Sequence, residues 1–389
     1  MINYEEIMVK RIQEVPPSGI RKFFDIANEM GDAISLGVGE PDFDTPWHIR
    51  EEAIYTLEKG KTIYTANAGL LELRKEICAY MKRRFNLTYS PVKQSLVTVG
   101  GSEGIDLALR ILLEPGDEAL IPEPCYVAYA PCVIFTGATP IAIPTKAENK
   151  FRLTPEELNT YITPKTKVLI LPYPNNPTGA IMEKEDLEKI AAVLKETNII
   201  TISDEIYAEL TYGKEHVSIA SIPGMYERTI VLSGFSKAFA MTGWRLGYAL
   251  GPEPLIGLMT KMHQFAIMCA PTTSQYAAIE AMKNGDEDVR EMRQSYDQRR
   301  RFMLEHFAKM GLDCFEPEGA FYVFPSIQKT GLTSEQFCTQ LLKEEKVAVV
   351  PGSAFGTSGE GFIRCSYAYS IEELREALTR IARFVKKRI

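Results

Sequence analysis

Between residues 97 and 250 the chain repeats one arrangement: a short apolar run, a turn carrying glycine or proline, then a longer segment with helical spacing. VTVGG precedes SEGIDLALRILL, and VLILPYPNNPTG precedes EDLEKIAAVLKETN. IITISDEIYAELTY, 199 to 212, reads as a further strand. Runs of Val, Ile and Leu without polar alternation are strands buried on both faces. Strands joined through helices run parallel. The pattern therefore predicts an α/β fold with a mostly parallel sheet between helices. Such sheets bind ligands beyond the carboxyl ends of their strands. The polar residues that interrupt the pattern fall at those ends: Ser102 and Glu103, Asn175 and Asn176, Asp204, Ser236 and Lys237.

From 253 to 310 the pattern becomes long and helical, with the QRRR run at 298–301 expected on a solvated helix face. GAFYVFPSI, 319 to 327, opens a smaller C-terminal unit. A chain of 389 residues has room for two domains. A net charge of −7 argues against nucleic acid or an anionic membrane as the main partner. The seven cysteines are odd in number and scattered, which predicts neither a disulfide framework nor a zinc site and fits a reducing cytoplasm. The first residues carry acids and no apolar h-region, so no signal peptide is expected, and no membrane span is expected. None of the four histidines forms a metal-spaced pair, so no metal is assigned.

VLSGFSKAFAMTGWRLGY, 231 to 248, sets Lys237 among small residues and hydroxyls, with Arg245 further on. A lysine taken alone is a solvated charge. Here Gly234 and Gly243 allow close backbone approach, Ser233 and Ser236 offer hydroxyls, and Arg245 offers a fork of donors for a phosphate. A partly desolvated amine beside a phosphate seat is what a Schiff-base lysine requires.

SGFSKAFAMTGWRLGY resembles the cofactor-lysine signature of the fold-type I pyridoxal 5'-phosphate (PLP) aminotransferases, class I/II. The group includes prokaryotic aspartate, aromatic and N-acetyl-diaminopimelate aminotransferases, and the resemblance runs over essentially the whole chain. It implies a PLP-transferase type I fold: a large domain with a mostly parallel sheet of seven-stranded type, 48–282, and a smaller α/β domain from 1–47 and 283–389. It implies transfer of an amino group from an L-amino acid to a 2-oxo acid by a ping-pong mechanism, in a homodimer.

Residue roles follow from the same resemblance. Lys237 is the catalytic lysine. Gly101, Ser102 and Glu103 form the phosphate cradle, with Ser236 and Arg245. Tyr126 stacks on the pyridine ring, Tyr129 being left to packing. Asp204 pairs with the ring N–H, while Tyr207 and Asn176 reach the phenolic oxygen. Tyr64, in YTANAGL, crosses to the partner's cofactor phosphate. Gly39, in G-x-G-E-P-D, lies near the substrate carboxylate, which Arg364 and Asn176 bind. Ser18-Gly19-Ile20 is either an ordinary turn or a gate over the substrate. Ser102 and Ile20 lean toward aromatic or other large donors. A carbon–sulfur lyase of the same fold, an aspartate aminotransferase and a non-catalytic PLP-binding regulator stay as alternatives, although no room precedes the first strand motif for an added DNA-binding domain.

Overall fold

The computed structural model describes residues 2–20 and 30–389. Seven strands form the central sheet: β2 Ser95–Thr98, β3 Glu118–Glu123, β4 Thr139–Pro144, β5 Thr166–Leu171, β6 Ile200–Asp204, β7 Thr229–Gly234 and β8 Gly247–Leu250. Their order is β2-β8-β7-β6-β5-β3-β4. Only β8 runs against its neighbours, pairing antiparallel with both β2 and β7. The others pair in parallel, as the buried, unalternating runs predict.

Both faces of the sheet are covered. Along β7, Ile230 and Leu232 enter one apolar cluster and Val231 enters another. This is the two-residue period of a strand with helices on each side. One face packs helix α3, Gly100–Leu112, and the other packs α1, Trp47–Glu58, α2, Leu71–Phe85, and α8, Thr272–Asn284. Helices α4, Tyr129–Thr136, α5, Pro155–Tyr161, α6, Lys184–Lys195, and α7, Glu253–Ala266, complete this region.

The strand expected over 199–212 ends at Asp204. The Asp204 carboxylate accepts from the Ile206 backbone N–H at 3.2 Å, a local bond that turns the chain out of the sheet.

The C-terminal part has its own sheets. β1, Ile34–Ser35, pairs parallel with β10, Val347–Ala348. β11, Val350–Pro351, β12, Ile363–Ser366, and β9, Tyr322–Val323, form an antiparallel sheet in that order. Helices α9, Asp286–Lys309, α10, Ser334–Glu345, and α11, Ile371–Lys386, contribute to a core cluster with residues of these strands. The first residue of this region to join a sheet, Ile34, is therefore remote in sequence from its partner.

The QRRR run is not a solvated face. Arg299 and Arg300 are buried, while Gln298 and Arg301 are exposed. Arg299 Nη1 donates to Asp42 at 2.7 Å, and Arg300 bonds Asp297 and Glu316. Buried charges need such partners. Among the described residues no helix is long and apolar enough to cross a membrane.

Candidate active site

The carboxyl ends of β2, β6 and β7 meet the start of β8 at one edge, with Thr98 opposite Gly247, Gly247 opposite Gly234, and Asp204 opposite Leu232. A Cβ on Gly247 would lie 2.6 Å from the Gly100 carbonyl carbon, so this edge closes only around glycine. Beyond it lies a cavity of about 490 Å³. Most residues singled out from the sequence line it: Gly39, Gly101, Ser102, Tyr126, Asn176, Asp204, Tyr207, Ser236, Lys237, Arg245 and Arg364.

Lys237 stands at its centre. Its Nζ donates to the Gly39 carbonyl at 2.5 Å and lies over the rings of Tyr207 and Phe321. Burial pushes its pKa down to about 8; Arg364 and Arg245 push the same way, and Glu40 at the cavity wall opposes them. An amine so placed spends an appreciable fraction of time unprotonated near neutrality, as a nucleophile or base requires.

One end of the cavity is built for an anion. Gly101 and Ser102 occupy the first turn of α3, where backbone N–H groups have no partner within the helix. The space a Cβ would occupy at Gly101 is open. Gly100, at φ +75, lets the Arg245 guanidinium approach; a Cβ there would lie 2.7 Å from Arg245 Nη2. Arg245 itself holds a left-handed φ of 53, with Nη1 donating to the Thr242 carbonyl at 2.9 Å.

The Glu103 carboxylate does not join this cradle. It accepts from Val99 N at 2.5 Å and bonds His263 Nδ1 at 2.7 Å, closing the helix start from behind. A first-turn carboxylate is held in this way by local backbone N–H groups and the helix dipole. It also complements a histidine that is fully buried.

Asp204 lies at the cavity floor, nearly buried. Burial raises its pKa, and the Tyr129 hydroxyl, donating at 2.7 Å, offsets this in part. Tyr129, left to packing on sequence grounds, therefore does more than pack. Tyr126 stands edge to face with Tyr129, ring centroids 5.6 Å apart.

Arg364 forms a second cationic end. It is 2% exposed, far from a surface edge. Nη1 donates to Asn176 Oδ1 at 2.9 Å and Nη2 donates to the Gly37 carbonyl, while the guanidinium stacks on Tyr322 and Phe355. Tyr322, which the sequence reading did not single out, also bonds Tyr207, hydroxyl to hydroxyl, at 2.8 Å. A Cβ on Gly39 would meet its hydroxyl at 2.5 Å, so Gly39 fits only as glycine. Ile20 lines the cavity and packs on the cluster containing Phe355.

Tyr64 does not line the cavity of its own chain. It is 78% exposed, beside Ile63. His263, expected to bind no metal, is the buried partner of Glu103.

A sheet of this topology, with a buried lysine between two arginine-bearing ends at its carboxyl edge, defines a fold-type I PLP-transferase site. The sequence pattern of the family "Aminotransferase class I and II" matches residues 31–381, and the chain belongs to that family. YugH of Bacillus subtilis (strain 168), provisionally named an aminotransferase, is 54% identical, covering 97% of each chain. The aspartate aminotransferase of Pyrococcus abyssi (strain GE5 / Orsay) is 48% identical over 98% of this chain and 99% of its own. The crystal structure of the aromatic aminotransferase from Pyrococcus horikoshii OT3 superposes with a TM-score of 0.90 at 47% identity, covering 94% of this chain and 99% of the other. The chain is a PLP-dependent aminotransferase, and the site's residues fit that cofactor: an open glycine turn at a helix start for the phosphate, a buried carboxylate for the ring nitrogen, and a buried amine for the aldehyde.

Proposed function

We propose that this aminotransferase moves the amino group of an L-amino acid with an aromatic or otherwise large side chain to a 2-oxo acid, using the residues gathered around Lys237. PLP, when bound, supplies an aldehyde that takes up the amino group and a ring that accepts the electron pair of a breaking Cα–H bond. Gly101, Ser102, Ser236 and Arg245 hold the phosphate. Asp204 as carboxylate, kept ionised by Tyr129, holds a proton on the ring nitrogen. Tyr126 fixes the ring plane, and Asn176 and Tyr207 face its phenolic oxygen. Arg364, aimed by Asn176, binds the substrate carboxylate bidentately, which a lysine cannot do. Lys237 Nζ takes the proton from the substrate α-carbon, acting as general base.

The observation that carries this reading is Lys237 itself: a buried amine with its pKa held to about 8 between two arginine-bearing ends. The donor preference draws support from Ile20, an apolar side chain on the cavity wall that packs on the cluster containing Phe355. It also draws support from the cationic lining: Lys237, Arg245 and Arg364 are the only cationic side chains on the described cavity wall, so none is left over for an acidic side chain. The name of the Pyrococcus abyssi relative keeps aspartate as the competing donor.

The chain works as a homodimer with Tyr64 completing the partner's phosphate site. Ile63, Tyr64, Leu258, Phe265 and Met268 are apolar and exposed in the single chain, and large exposed apolar groups of this kind mark an interface. A division into 48–282 and 1–47 with 283–389 follows the separate sheets.

Absorbance between about 300 and 500 nm tests the reaction. A visible band that bleaches with phenylalanine or tyrosine and returns with 2-oxoglutarate supports it. Bleaching by aspartate alone overturns the donor preference. A band that persists while pyruvate and ammonia accumulate points to the carbon–sulfur lyase. A monodisperse monomer of full activity in light scattering would overturn the dimer.

A further inference from the structure

Tyr322 joins three parts of the site that belong to different steps of the reaction. Its hydroxyl lies 2.8 Å from that of Tyr207, its ring lies 4.4 Å under the Arg364 guanidinium, and its oxygen closes on Gly39, the residue that accepts from Lys237. It is 1% exposed, and Tyr207 is the one hydrogen-bond partner of its hydroxyl among the described residues.

Two hydroxyls sharing one bond leave one proton free. If Tyr207 donated, its proton would be spent on Tyr322 and unavailable to the cavity. The surroundings set the opposite polarity. The more acidic phenol is the better donor. The Arg364 guanidinium stacks at 4.4 Å on the Tyr322 ring and is the strongest influence offsetting burial there; it acts on Tyr207 as well, but there it is outweighed, and Tyr207 is pushed well above the usual tyrosine value. The other charged or titratable groups facing the pair are Asp204 and Lys237 beside Tyr207 and Tyr126 beside Tyr322, with Glu40 acting on Lys237.

We propose that the Tyr322 hydroxyl is a positioning group for the cofactor: it donates to Tyr207 and thereby commits the Tyr207 proton to the cofactor's phenolic oxygen. This rests on the PLP reading above. Hydrogen bonds in a chain polarise one another, so Tyr322 strengthens the bond Tyr207 makes. Because its ring stacks on Arg364, the same side chain joins the substrate-carboxylate seat to the cofactor oxygen.

The test is a pH titration of the visible band of the holoenzyme for wild type, Tyr322→Phe, Tyr207→Phe and the double variant. Phenylalanine keeps the ring against Arg364 and removes only the hydroxyl. Weaker donation to the phenolic oxygen lets the adjoining nitrogen keep its proton to higher pH. The Tyr322→Phe midpoint is therefore expected to move up by about half a pH unit, the scale of one neutral hydrogen bond lost from a chain. In the Tyr207→Phe background the second substitution is expected to change nothing. An unmoved midpoint in Tyr322→Phe overturns the inference, as does an equal shift in both backgrounds. If an unpaired Tyr207 hydroxyl keeps the single variant from folding, the double variant against Tyr207→Phe still decides, since neither hydroxyl is then orphaned. A wild type without a visible band fails the PLP reading itself, a separate outcome.

Discussion

Replacing Tyr129 by phenylalanine tests how the floor of the cavity keeps a carboxylate charged. Asp204 has two donors in the protein: Tyr129 at 2.7 Å to one oxygen and the Ile206 N–H at 3.2 Å to the other. A hydrogen bond to a charged group contributes about 1.5–3 kcal/mol, so losing the shorter one raises the Asp204 pKa further. Burial has already set that pKa above its ordinary value of 3.8, so the ionised form opposes folding. The opposition is absent well below 3.8 and grows as pH rises from there through the folded value. Without Tyr129 the folded value lies higher and the penalty at neutral pH is larger by that same 1.5–3 kcal/mol.

Urea unfolding of the cofactor-free protein at a fixed protein concentration measures this at about pH 7.5 and about pH 4.5. The variant's deficit is expected to shrink toward the acid value, because protonation of the carboxyl removes the need for a charge-assisted donor. PLP affinity at neutral pH is expected to fall, because the Asp204 carboxylate loses its shorter donor and ionises less readily. A deficit of equal size at both pH values would show that Tyr129 only packs. An unchanged PLP affinity would show that Asp204 does not need it.

Glu103→Ala leaves Val99 N and the fully buried His263 without their partner, and is expected to cost about 2–4 kcal/mol in thermal or urea unfolding. The KM for the amino acid should stay unchanged, and a large KM rise would mean that the carboxylate faces the cavity after all. Arg364→Lys is expected to lower kcat/KM for every amino donor by about 10²–10⁴, because two charge-assisted bonds of about 1.5–3 kcal/mol each cannot both be made by an ammonium; a loss confined to acidic donors would place Arg364 at the side-chain carboxylate instead.

The sheet and most of the pocket were legible because both are written in short stretches. Unalternating apolar runs ending in Asn176, Asp204 or Lys237 carry strand, turn and ligand within a dozen residues. What escaped is pairing between distant stretches. Tyr129 meets Asp204 across 75 positions, Tyr207 meets Tyr322 across 115, and His263 meets Glu103 across 160. No local pattern distinguishes a tyrosine that packs from one that donates. The QRRR run misled for the same reason: its partners Asp42 and Glu316 lie outside the helix whose composition was being read. Tyr64 is legible as a motif, yet it stands exposed and outside the cavity of its own chain.

The charges around Lys237 make its basicity depend on what the cavity holds. Its folded pKa of about 8 lies below the ordinary 10.5, so between those values the unfolded chain binds more protons than the folded one. Stability of the cofactor-free protein therefore rises with pH across that window, and the full penalty for a buried ammonium is present below it. Arg245 and Arg364 both depress the amine, and both are the groups that receive anions in the proposed reaction. Filling the two seats offsets two repelling charges, so the amine becomes a stronger base as the site fills. Acylation of the cofactor-free protein by a small amine-reactive reagent, followed against pH, is expected to show a midpoint near 8 at Lys237 that inorganic phosphate moves up by about half a unit to one unit. Lys237→Met should abolish both this labelling and the rise in stability between about 8 and 10.5. A midpoint near that of an exposed lysine would remove the basis of the proposed mechanism. A midpoint that phosphate leaves unmoved would instead place Arg245 too far from the amine to govern it, and basicity would then rest on burial alone.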